Sequence, residues 1–181
     1  MFHFNNIYYF IDSFNRKEIL RLPKKINIIY RNYSAKISEK VIKEIKYLCK
    51  RNRSKFYVAD NIGIALKFRL DGVYLPAFNK NFKAKYFKMN NFEILGSAHN
   101  FKEIKTKEKQ GVSKLFIAPV FKVKKKNYHL NIIKFNLLSR NTKKELIALG
   151  GINKMNIKKL KLLNCSGFGS ISYLKEIFIN E

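Results

Sequence analysis

The chain has little of several things, and each shortage excludes a class of protein. Among 181 residues there are two cysteines, three prolines, eight glycines and no tryptophan. Cys49 and Cys165 are too few for a disulfide scaffold or a four-cysteine zinc site. Both stand in apolar, helix-like surroundings, so buried free thiols and a reducing cytoplasm are expected. No run of about 18 apolar residues occurs, so no membrane-spanning helix and no membrane partner are expected. The stretch from Met1 to Phe14 is apolar but carries Asn5, Asn6 and Asp12. It lacks a basic leader and a small-residue cleavage site, so it does not read as a signal peptide. Linkers and Ser/Gly/Pro-rich tracts are missing, and the length suits one domain over residues 1–181.

The largest shortage is of acid: 12 acidic residues stand against 38 basic ones, for a net charge of +26. Two readings stay open. One is a surface for nucleic acid or anionic membrane. The other is the codon use of an AT-rich genome, which yields Lys, Asn, Ile, Phe and Tyr in quantity. The lysines spread over every segment, and the tight run is confined to Lys122 through Lys126. RNA-recognition aromatic signatures, zinc-finger spacing and a basic zipper are absent. The spread favours codon use, with a phosphate-bearing small ligand as a contributor, and nucleic acid is not the expected partner.

What is present is core material: 46% hydrophobic and 14% aromatic residues. Apolar, β-rich runs fall at 7–11, 26–30, 56–59, 72–75, 93–96, 115–118, 146–149 and 167–171. Amphipathic helix patterns lie between most of them, at 38–51, 62–70, 101–110, 130–140 and 155–163. Ser38, Asn100 and Asn153 are expected caps. In the helix over 101–110, Phe101 and Ile104 are expected to face inward. Continuous apolar strands alternating with helices predict a parallel sheet buried on both faces, and eight units fit a compact (β/α)8 TIM barrel of the α/β class. The alternative, an open doubly wound sheet, needs a glycine-rich loop after strand one, which the segment from Asp12 to Asn15 does not provide.

A barrel places function in the loops after its strands. Strand two is followed by Arg31, Asn32 and Tyr33, and strand three by Asp60. After strand four come Pro76 to Asn79. Strand five ends in Ser97 and His99, and strand six leads to the lysine run. Gly150 and Gly151 after strand seven, with a helix capped at Asn153, form a candidate phosphate seat. Glycines let backbone N–H groups approach an anion, and a helix N-terminus adds positive potential. Gly169, Ser170, Ile171 and Ser172 extend it from strand eight. The competing reading is that these glycines only make tight turns. Arg31 suits bidentate phosphate binding. His99 has the chemistry of a proton shuttle. Asp60 is the one strand-end carboxylate expected inside the mouth.

In this order the residues resemble the thiamine-phosphate synthase family and its relative, the TenI-type thiazole tautomerase. The resemblance is carried by Phe56 to Asn61 with Ala65 and Leu66, Asp71 to Leu75, Ile94 to Asn100, Ala118 to Phe121, Ile147 to Asn153, and Ser166 to Ser172. It runs from about Ile7 to Leu174. It implies the same barrel, and a transferase that joins a pyrimidine pyrophosphate to a thiazole phosphate, releasing pyrophosphate with Mg²⁺. By resemblance, Arg31 and Lys126 match pyrophosphate-binding positions and Asp60 a Mg²⁺-binding aspartate. Ser97 matches a serine near the pyrimidine. Gly151 and the segment from Gly169 to Ser172 match the thiazole-phosphate seat. The departures are Tyr33 where the family has lysine, Asn79 where it has a second metal aspartate, and Lys122, Val123, Lys124 and Lys125 where it is threonine-rich. A tautomerase that aromatises the thiazole phosphate without metal is the alternative, with His99 as its candidate base. A further alternative is an inactive phosphate-ligand or nucleic-acid-binding barrel. Assembly into an oligomer is compatible with all of these.

Overall fold

In a computed structural model, described for residues 4, 6–33, 37–87, 90–123 and 127–179, eight parallel strands close into a barrel in sequence order. They are β1 (Asn6–Ile11), β2 (Asn27–Tyr30), β3 (Phe56–Ala59), β4 (Gly72–Leu75), β5 (Glu93–Ala98), β6 (Lys114–Ile117), β7 (Glu145–Leu149) and β8 (Gly167–Ser170). Pairing of β1 with β8, from Asn6 opposite Gly167 to Tyr9 opposite Ser170, closes the ring. All eight expected strands are present, β3 and β4 with the expected bounds and the others with ends displaced by one or two residues, and the open sheet is excluded.

Both faces of each strand are buried, which is why the strands read as unbroken apolar runs. One residue set, including Tyr8, Phe10, Tyr57, Tyr74 and Phe116, fills the barrel interior. The alternate set, including Ile28, Val58, Val73 and Leu115, packs outward against the helices. The interior is unusually aromatic. The Phe116 ring meets those of Tyr8, Tyr74 and Phe10 edge-on, with centroids 4.9, 5.5 and 5.8 Å away. Gly169 offsets this bulk: a Cβ there would lie 2.9 Å from Phe10 and 3.2 Å from Phe116. At the amino end, Glu93 accepts hydrogen bonds from Lys114 Nζ at 2.7 Å and from the Tyr57 hydroxyl, with Lys55 Nζ at 3.2 Å. Burial opposes its charge, but these partners hold its carboxyl below the usual value.

Six α-helices occur among the described residues: α1 (Arg16–Arg21), α2 (Glu39–Arg51), α3 (Ile62–Lys67), α4 (Phe101–Lys109), α5 (Asn131–Ser139) and α6 (Ser172–Phe178). Two short helices, α1 and α6, six and seven residues long, are additional to those expected; α3 is as short, but its sequence is apolar along most of its length. Ser38 precedes α2 without a side-chain cap bond. Asn100 does cap α4, accepting from Glu103 N at 3.0 Å, while the Glu103 carboxylate accepts from His99 N at 2.7 Å. Phe101 is exposed and not inward; Ile104 and Lys107 form the buried seam of α4. The helix expected over 155–163 is a 3₁₀ segment, Ile157–Leu162. Asn153 caps the turn before it, accepting from Met155 N and Asn156 N at 2.9 and 3.1 Å. Cys49 is buried, whereas Cys165 is half-buried in the loop before β8 rather than in a helix. No described helix is long and apolar enough to cross a membrane.

Candidate functional site at the barrel mouth

The inward register of β1 and β2 carries on past their last residues and sets the first two mouth groups. Tyr8 and Phe10 point in, so Asp12 follows them at the rim; Ile29 points in, so Arg31 does the same. Arg31 Nε donates to Asp12 Oδ1 at 3.0 Å, and the guanidinium lies 5.6 Å from the Phe10 ring centroid. Asp60 is therefore not the only mouth carboxylate. Asp12 shares the rim, and the signal that finds it is the two-residue alternation of β1.

Arg31 borders two depressions. The larger is a cleft of about 470 Å³ reaching the loops after β6 and β7 and the end of β8, with Lys122, Gly151, Gly169 and Ser170 in its lining. The smaller is formed by Asp12, Arg31, Asn32 and Tyr33. In the cleft, Gly150 and Gly151 have φ of +91° and +73°. A Cβ at Gly151 would meet the Phe121 carbonyl and stand 2.7 Å from the Lys122 carbonyl. Glycine is thus required both for its conformation and for the approach of the β6 loop. Asn156, absent from the sequence reading, secures this turn by donating to the Gly151 carbonyl at 2.7 Å. Ile171 and Ser172 also line the cleft, while the Ser170 hydroxyl accepts from Tyr173 N at 3.1 Å and so starts α6.

Asp60 and Asn79, from the β3 and β4 loops, come together: Asn79 Nδ2 donates to Asp60 Oδ1. The orientation of the Asn79 amide is determined by its other end. Its Oδ1 accepts from Asn81 N at 2.8 Å and from Gln110 Nε2 at 3.1 Å. A flipped amide would set NH₂ against two donors. Asn79 therefore presents N–H to Asp60, and Asp60 is the oxygen donor of the pair. One carboxylate with substrate phosphate oxygens is a donor set that Mg²⁺ accepts. Among the described residues no three metal-ligating side chains cluster. Above this pair, the half-exposed Tyr33 ring meets the exposed Phe78 ring edge-on at 5.6 Å.

Two expected residues, Ser97 and His99, lie apart from the cleft. Ser97 is buried at the end of β5 and hydrogen-bonds Tyr74, whose hydroxyl is pushed up to about 12 by burial, with Ser97 and Arg31 opposing. His99 places Nδ1 2.5 Å from the Ala118 carbonyl oxygen and lines a separate groove with Phe101, Tyr128 and Lys134. Lys126 lies outside the described residues.

Fold and cleft together define a (β/α)8 barrel with its cleft at the carboxyl end of its strands. The family model described as thiamine monophosphate synthase matches residues 18–174, and the chain belongs to that family. A thiamine-phosphate synthase of Prochlorococcus marinus subsp. pastoris is 32% identical over 168 residues, covering 87% of this chain and 47% of the relative. Another, from a second Prochlorococcus marinus strain, is 34% identical over 122 residues, covering 66% of this chain and 35% of the relative. The chain thus spans less than half the length of these relatives. In fold it is similar to a thiamine phosphate pyrophosphorylase from Pyrococcus furiosus, with a TM-score of 0.78 at 23% identity over 93% of this chain and 86% of that one.

Proposed function

We propose that the chain forms thiamine phosphate by joining a pyrimidine pyrophosphate to a thiazole phosphate with release of pyrophosphate. The observation that carries this reading is Arg31, which stands between two depressions large enough to take one anionic group each. The thiazole phosphate takes the glycine-lined cleft, where the backbone at Gly151 and Gly169 lets an anion approach closely. The diphosphate lies on the other side of Arg31, towards Asp60, with the Tyr33–Phe78 pair offering aromatic edges to a planar ring.

As the diphosphate departs, negative charge builds on its oxygens, and groups already in place at the mouth must meet it. Arg31 does so with a planar fork of donors. Its bond to the largely exposed Asp12 is a weak competitor, since such pairs contribute about 0–1 kcal/mol. Mg²⁺, when bound, supplies further charge neutralisation for the leaving group. Asp60 is the residue to hold it, with Asn79 orienting Asp60 rather than ligating. The free thiols are in keeping with a cytoplasmic setting. The tautomerase alternative has less support, because His99 is tied to Ala118 and faces a different groove.

The test is thiamine phosphate formation by the purified protein from both substrates with Mg²⁺, followed by chromatography. Product dependent on both substrates supports the reading. Proton exchange on the thiazole phosphate without Mg²⁺, and no thiamine phosphate, would replace it with the tautomerase.

A further inference from the structure

Lys107 is a charged side chain with no exposure at all, on a helix otherwise studded with solvated lysines. Its Nζ donates to the carbonyl oxygens of Pro76 and Asn79 at 2.6 and 2.8 Å and to Gln110 Oε1 at 2.8 Å. The acceptors are three neutral oxygens, and two of them belong to the loop after β4. Gln110, equally buried, donates from Nε2 to the Asn79 carbonyl at 3.1 Å, to Asn79 Oδ1 at 3.1 Å and to the Asn81 carbonyl at 2.8 Å. The aliphatic stem of Lys107 reaches the loop over Gly96 of β5, where a Cβ would stand 3.0 Å from Lys107 Cδ. Burying a lysine with no carboxylate among its hydrogen-bond acceptors is costly, although the nearby charges of Asp60 and Glu103 favour its charged form, and a loop tied to it through two main-chain carbonyls has lost much of its freedom.

We propose that Lys107 and Gln110 are a buried clamp that positions the β4 loop, so that Asn79 turns its N–H to Asp60 and holds that carboxylate ready for the diphosphate side of the mouth. They are positioning residues, because neither reaches the cleft; they act through Asn79 on Asp60. The clamp itself stands on the hydrogen bonds above. What it serves rests on the reading of Asp60 in the proposed function.

The experiment compares wild type with Lys107→Met and Asn79→Ala. Amide hydrogen exchange over residues 77–82 is followed by mass spectrometry, and calorimetry measures binding of inorganic pyrophosphate with Mg²⁺ and, separately, of inorganic phosphate. Lys107→Met is expected to speed exchange in 77–82 at least tenfold and to weaken pyrophosphate binding about tenfold, with phosphate affinity within twofold. Asn79→Ala keeps the main-chain carbonyls that Lys107 grips, so it should weaken pyrophosphate binding similarly with a smaller change in exchange. In an Asp60→Ala background neither substitution should weaken pyrophosphate binding further. A general loss of structure would instead weaken both anions. The clamp is overturned if folded Lys107→Met exchanges at the wild-type rate in 77–82. If Lys107→Met does not fold, Asn79→Ala decides, and unchanged pyrophosphate binding overturns the link to Asp60. Wild type that binds no pyrophosphate removes the functional reading, and the exchange data then judge the clamp alone.

Discussion

Arg31 is where the two halves of the mouth meet, and its replacement is the most informative single change. If its guanidinium meets charge on the departing diphosphate, Arg31→Ala should slow thiamine phosphate formation by about 10²–10³-fold, the usual loss for one such group. Asp60→Ala should do the same and raise the Mg²⁺ concentration needed for half-maximal rate. Steady-state kinetics over a Mg²⁺ series checks both. Loss at Arg31 without any Mg²⁺ effect at Asp60 would detach the metal from Asp60. Away from the mouth, Cys49 makes a simpler statement. Burial pushes its thiol up to about 12, with the charge of Asp71 adding to it. The thiolate is the reactive form, so Cys49 should resist iodoacetamide at pH 8 in the folded protein and react once denaturant is added. Mass spectrometry of the labelled peptide reads this directly.

Among the elements, α4 carries both a capped N-terminus and the buried Lys107 that reaches the β4 loop. Its N-terminus is closed by Asn100 and Glu103 acting reciprocally, and its buried seam carries Ile104 and then Lys107. Asn100→Ala removes the acceptor for Glu103 N and should cost about 1 kcal/mol of stability, measurable by urea denaturation with an unchanged slope. The inward position of Lys107 has a sequence signal: it stands three residues after Ile104, where the seam continues. Composition hides it, because its neighbours Lys105 and Lys109 are ordinary surface lysines. The short helices α1 and α6 show the opposite case. Asn15 caps α1, accepting from Lys17 N at 3.0 Å and Glu18 N at 3.3 Å, but only Ile19 and Leu20 of its residues are apolar, whereas the equally short α3 is apolar along most of its length.

For the molecule as a whole, Glu93 gathers partners from different parts of the barrel at its amino end: Lys114 from β6, Tyr57 from β3 and Lys55 just before it. Its carboxyl sits below the ordinary value of 4.5 in the folded state. A carboxyl lowered by folding stabilises above that ordinary value and loses the contribution as pH falls through its folded value. Lys114→Met should therefore cost about 1–3 kcal/mol near neutral pH, the penalty of a half-satisfied buried group. The difference from wild type should shrink as pH falls far enough to protonate Glu93. Thermal melts of both proteins at pH 7 and in acid check the sign, and a cost that does not fall with pH would mean that Glu93 is not its origin.

The alternation of apolar runs and amphipathic stretches determined the order of strands, the closed barrel and which residues stand at its mouth, because these depend on local periodicity and on a topology that eight βα units nearly dictate. Arg31, Asp60 and Gly151 were legible for the same reason: a strand end is a position in sequence. Their partners were not. The pairing of Arg31 with Asp12 follows from the parallel pairing of β1 with β2, which sets their rims side by side. By resemblance Asn79 stands where the family has a metal aspartate, and its amide direction is set by Gln110 and Asn81, which the fold brings to its carbonyl end. His99 reads as a mouth residue, but the chain turns away after Ala98 and carries it to another groove. Gly169 reads as a phosphate contact, and its want of a side chain is also demanded by Phe10 and Phe116 from strands far away in sequence. Lys107 could be any lysine until Gly96 lets its stem pass beneath the β4 loop. Local pattern is enough to build a barrel, whereas which polar group faces which is settled by contacts that exist only once the ring has closed.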